Sequence, residues 1–134
     1  MSLDKTIKVW DLKTFKVIKT IEEESDNKIF YLNHNIVYNI LKVNENEFIT
    51  SSSKNNCIKF WKNYQIIKTI NDLKVTDITK SILLFEDDKL LIIGSDYILH
   101  LIDVKKYELV KSFEMNVLVL SISKYLDRDI LCTR

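Results

Sequence analysis

The feature that most constrains this chain is that it repeats itself. Three six-residue segments align with one another: TIKVWD at 6–11, CIKFWK at 57–62 and ILHLID at 98–103. Each is followed by a second matching segment, KVIKTI at 16–21, QIIKTI at 65–70 and ELVKSF at 108–113. The first set recurs 51 and then 41 residues apart, measured from Trp10 to Trp61 to Ile102. Between these pairs lie further strand-like blocks, 37–43 with 47–52 and 77–85 with 89–94, and the pattern returns at 118–123 and 130–133. Turn-forming runs separate the blocks at Asn44 to Asn46, Glu86 to Asp88 and Leu126 to Asp129. Short blocks in fours, with a period of roughly forty residues, predict an all-β repeat protein.

The residue types agree with strands. Ile, Leu and Val contribute 44 residues, whereas Ala and Pro are absent and Gly occurs once. Branched side chains fit a pleated surface and crowd a helix. A phosphate-cradling loop needs several glycines, and only Gly94 is present. Twenty basic residues against 19 acidic ones leave no surplus to attract nucleic acid or anionic lipid. The opening 11 residues read as a strand rather than a secretory leader. No apolar run approaches the ~18–20 residues that span a bilayer. Cys57 and Cys132 show no paired spacing, so both are expected to be small half-buried hydrophobes in a reducing compartment. An intracellular location follows as an expectation, with the cytoplasm preferred to the nucleus, although the absence of a dense Lys/Arg cluster does not separate the two.

The run SLDKTIKVWDLKT at 2–14 resembles the end of a WD repeat, the four-stranded blade unit of WD-repeat β-propellers. The middle unit is similar throughout. Asn33-His34 stands where that family has Gly-His, Ser51 to Ser53 where it has Ser-Gly-Ser, and Trp61-Lys62 where it has Trp-Asp. The resemblance covers nearly the whole chain and implies blades of four antiparallel strands. On it, residues 1–21 are the third and fourth strands of one blade, 34–70 and 75–113 are two blades, and 117–134 are the first two strands of a further one. Twelve strands make three blade equivalents, an incomplete ring with both ends mid-blade, since propellers typically close with about four to eight. The preferred expectation is a piece of a longer propeller. The other is a homodimer in which the terminal two-strand unit ending at 130–134 is completed by 2–21 of a second copy, giving six blades.

The resemblance also implies a buried hydrogen-bonded tetrad of His34, Ser51, Asn55 and Trp61, weakened because Asn55 stands where the family has Asp. The third unit has Ile102 in place of Trp and no Gly-His, so packing alone must hold it. Trp10, Trp61, Phe60 and Phe113 are expected in the core. His34 could act as a general base with Ser51 and Asp77, but a loop-fixing histidine explains its place in the repeat better. His100 is expected to be a satisfied or edge-exposed strand residue. The two cysteines and two histidines are scattered, so no catalytic residue, metal site or cofactor is expected.

WD-repeat propellers are mostly rigid, non-catalytic platforms, which makes a protein–protein interaction scaffold the expected role. Its partners are then other proteins, not nucleic acid or membrane. By position, the partner face falls on Leu3 and Lys54 before the turn Asp or Asn, Ile36 before the first core Val, and Ser95 before Asp96. A hydrolase on a propeller frame and a non-functional truncated gene product are the alternatives.

Overall fold

A computed structural model describes residues 6–22, 37–52, 57–71, 73, 81–85, 89–93, 97–116, 122–125 and 128–132. Among them, twelve strands form four antiparallel sheets. The first sheet pairs β1 (Thr6–Asp11) with β2 (Lys16–Glu22). The second runs β3 (Val37–Lys42), β4 (Glu47–Ser52), β5 (Cys57–Lys62), β6 (Gln65–Ile70), each strand beside the next. The third repeats that order in β7 (Ser81–Phe85), β8 (Lys89–Ile93), β9 (Ile98–Asp103) and β10 (Glu108–Glu114). The last pairs β11 (Ile122–Tyr125) with β12 (Arg128–Cys132). The expected turn at 126–129 is therefore shorter, because Arg128 and Asp129 already belong to β12.

Three clusters of apolar side chains lie between sheets and stack them in chain order. Ile7 and Ile21 of the first sheet pack on Trp61 and Phe48 of the second. Ile49, Ile58 and Phe60 of the second meet Ile82, Leu90 and Ile102 of the third, with Leu73 from the connection. Leu83, Leu99 and Leu101 on the far face of the third sheet cover Ile122 of the fourth. Both faces of each four-stranded sheet are thus apolar, which explains why alternation of polar and apolar residues is weak in this chain. In the third unit, Ile102 is fully buried in the place that Trp61 holds in the second.

Turn chemistry explains one divergence from the repeat. Asp11 Oδ1 accepts hydrogen bonds from the N–H groups of Lys13 (2.7 Å) and Thr14 (3.1 Å). Asp103 Oδ1 accepts likewise from Lys105 (2.9 Å) and Lys106 (3.0 Å). Both turns close on a left-handed aromatic residue, Phe15 at φ 53° and Tyr107 at φ 57°. In the middle unit, Lys62 replaces the Asp and the loop shrinks to Asn63-Tyr64, at φ 49° and 64°, the pair of positive angles a type I′ hairpin needs. Such a loop has no spare N–H groups for an Asp to cap. Lys62 instead pairs with Glu47, its cross-strand neighbour, at 2.8 Å.

The outermost strands share a second feature. Between Val9↔Lys19 and Trp10↔Val17 the register skips Ile18. It skips Ile67 between Phe60↔Lys68 and Trp61↔Ile66, and Val110 between Leu101↔Lys111 and Ile102↔Leu109. A β-bulge therefore recurs at one repeat position in three sheets, beside the signature Trp or Ile. It accounts for the adjacent apolar pairs Val17-Ile18, Ile66-Ile67 and Leu109-Val110, which a regular strand would divide between opposite faces.

One expectation is corrected. Trp10 is 51 % exposed and Phe113 39 % exposed, so neither is a core residue. The first sheet has two strands, and among the described residues no sheet lies against the face that carries Trp10.

Candidate functional site

Strand register determines which groups of the middle unit can meet. In β4 and β5, Phe48 stands opposite Trp61, Thr50 opposite Lys59 and Ser51 opposite Ile58. Since successive residues point to opposite faces, Phe48, Thr50 and Trp61 share one face while Ile49, Ser51 and Phe60 share the other. The Trp61 indole Nε1–H accordingly donates to Thr50 Oγ1 at 3.0 Å, in a fully enclosed setting. Phe48 stacks on the indole, with ring centroids 5.4 Å apart and planes 8° from parallel. Ser51 is equally buried but accepts from Asn39 Nδ2 at 3.2 Å on the opposite face. The structure thus assigns the Trp–hydroxyl bond to Thr50, one residue before Ser51. Counting face parity back from Trp61 would have found it. His34 and Asn55 lie outside the described residues.

Leu3, Ile36, Lys54 and Ser95 also lie outside the described residues. The described strands that follow them are β1, β3, β5 and β9. Within the second sheet, β3 and β5 are both antiparallel to β4 and so begin at the same end. At the opposite end the turns are tied together. Asn63 N–H donates to Asn46 O at 2.9 Å, and Tyr107 sets its edge on Phe60 with centroids 5.0 Å apart. Lys19 of β2 lies 4.7 Å from the centre of the Tyr64 ring. Strand beginnings meet too: Ile122 N–H at the start of β11 donates to Ser81 Oγ at the start of β7 (3.3 Å).

Charges gather at the turn end. Hydrogen bonds from Lys62 and Asn44 hold Glu47 below the ordinary carboxylate value, and Glu47 in turn raises Lys62. Asp11 is lowered by the Lys13 and Thr14 backbone N–H groups, and Asp103 by those of Lys106 and Lys105. These carboxylates are committed to turns and to one ion pair. His100 is buried, with Nδ1 2.9 Å from the hydroxyl of Ser112, its cross-strand partner. Among the described residues no three His, Cys, Asp or Glu side chains gather as a metal site would require, and no helix is long and apolar enough to cross a membrane.

A groove of about 280 Å³ lies between the first two sheets. Ile7, Lys8 and Val9 form one wall, along the edge of β1, and Ile40, Lys42 and Phe48 form the other.

No protein-family model matches this chain, and no curated protein matches it. Among solved structures it is similar to the crystal structure of the WD40 β-propeller domain of Doa1, with a TM-score of 0.72 and 24 % sequence identity over 98 % of this chain. The match spans 41 % of that chain. The four sheets therefore have the fold of WD40 β-propeller blades, as a partial and open ring.

Proposed function

We propose that this chain is a non-catalytic protein–protein interaction scaffold of the WD-repeat type, working as part of a propeller. The observation that carries the reading is the stacking of four sheets through continuous apolar layers, with β3 and β5 beginning at one end. Loops mounted on such a rigid stack present recognition residues with little entropic cost on binding. The proposed contact residues are Leu3, Ile36, Lys54 and Ser95, each within three residues before a strand begins. Partners are other proteins, since net charge +1 gives no field for nucleic acid or lipid, and the proposed setting is the cytoplasm.

Affinity capture with the unaltered chain, repeated with Lys54→Glu and Ile36→Glu, tests the reading. Both variants are expected to lose specific partners while keeping the strand signature in circular dichroism. If every recovered partner stays bound to both, the assigned face is wrong.

A further inference from the structure

The chain enters β2, β6 and β10 through one five-residue pattern: an aromatic residue, a variable one, two aliphatic residues and a Lys. It reads Phe15-Lys16-Val17-Ile18-Lys19, Tyr64-Gln65-Ile66-Ile67-Lys68 and Tyr107-Glu108-Leu109-Val110-Lys111. The aromatic residue is left-handed each time, a backbone conformation that disfavours bulky side chains. The aliphatic pair straddles the bulge, and every member of the three pairs is exposed. The second sheet is stacked on both faces, yet Ile66 is still 43 % and Ile67 42 % exposed. Packing between sheets therefore does not use these side chains fully.

Neighbouring copies of the pattern meet. Lys19 ends the first copy, and its ammonium lies over the Tyr64 ring that begins the second. Ile67 of the second copy and Tyr107 of the third line one small cleft. The three copies thus make a continuous strip across the outer strands, aliphatic along its length. Its charge is uneven. In the first two copies Lys16, Lys19 and Lys68 pair with no carboxylate among the described residues. In the third, Glu108 and Glu114 share β10 with Lys111.

We infer that the strip over β2 and β6 docks an acidic amphipathic segment of a partner protein. The partner's aliphatic side chains rest on Ile18, Ile66 and Ile67, and its carboxylates meet Lys19 and Lys68. An apolar patch edged by charge of one sign suits such a segment. Docking is through side chains, because the bulge breaks the ladder that an added strand would continue. The outward-facing pairs are aliphatic, which offers nucleic-acid bases little to stack on. This surface is separate from the one proposed at the strand beginnings. It rests on the stacked-sheet scaffold and not on Leu3, Ile36, Lys54 or Ser95.

Fluorescence anisotropy with a labelled peptide of alternating Asp and Leu tests it, beside peptides of alternating Asp and Ser and of alternating Lys and Leu. Only the Asp–Leu peptide is expected to bind, and less tightly as salt is raised. Ile66→Ser and Lys68→Glu alter exposed side chains. Each is expected to weaken binding about tenfold with circular dichroism unchanged, while Lys68→Arg retains it. Lys54→Glu and Ile36→Glu are expected to leave peptide binding unaltered, so failure here is distinct from failure of the other face. An Asp–Leu peptide that does not bind overturns the inference. So does equal binding of the Asp–Ser peptide, or binding that survives both Ile66→Ser and Lys68→Glu. Tighter binding of oligothymidylate or of phosphatidylserine vesicles, lost in Lys68→Glu, assigns the strip to nucleic acid or membrane and overturns it as well.

Discussion

The indole N–H of Trp61 donates to the hydroxyl of Thr50 across the β4–β5 pair at 3.0 Å, and neither group reaches water. A buried donor stripped of its acceptor retains its desolvation penalty, about 1–3 kcal/mol. Thr50→Val keeps the shape and removes the acceptor, so urea unfolding followed by tryptophan emission should show a loss of about that size. Ser51→Ala acts on the opposite face and should leave the Trp61 emission wavelength where it was. An emission shift in Ser51→Ala with none in Thr50→Val would contradict the register.

Packing between the second and third sheets should dominate stability. Ile49 is fully enclosed there among Ile58, Phe60, Leu90 and Ile102, so Ile49→Ala is expected to cost about 2–5 kcal/mol through lost transfer energy and the cavity left behind. Ile18, 64 % exposed at its bulge, offers the contrast. Ile18→Thr should stay within about 0.5 kcal/mol in the same denaturation experiment.

Acid should weaken the turns. Asp11, Asp103 and Glu47 all have folded pKa values below their ordinary 3.8, 3.8 and 4.5. The folded state therefore holds their protons less tightly than the unfolded chain. Their contribution is complete above the ordinary values and disappears as pH falls through the lower folded ones. Lys62, raised from 10.5 by Glu47, gives the mirror case: its contribution is complete below 10.5 and lost as pH rises through the folded value. Thermal melts from pH 7 to pH 2 should show Tm declining below about pH 4.5, and Asp103→Asn should have a shallower decline. An unchanged slope would mean that the Lys105 and Lys106 N–H bonds do not distinguish the folded state.

The strands were legible because their residue types and their recurrence point the same way. Segments 6–11, 57–62 and 98–103 agree with β1, β5 and β9 to the residue. Three kinds of information were not legible. Aligning Ser51 with the repeat placed a hydroxyl near Trp61 but ignored face parity, and parity selects Thr50. The apolar character of Trp10 and Phe113 suggested burial, but burial depends on a neighbouring sheet, and composition does not record neighbours. The repeat aligned Lys62 with Asp11 and Asp103 but did not say why the residue differs; Lys62 is matched to a shorter hairpin, in which Asn63 and Tyr64 take the left-handed angles and Glu47 becomes the partner of Lys62. The proposed contact residues Leu3, Ile36, Lys54 and Ser95 were chosen from position in the repeat alone.

The recurring bulge marks the same edge strand of each complete blade. On β6 and β10, as on β2, an extra residue breaks the ladder at the same height and increases the local twist, so the outward edge is a poor template for another chain. Its recurrence at one repeat position makes the bulge a property of the repeat unit rather than of any one strand.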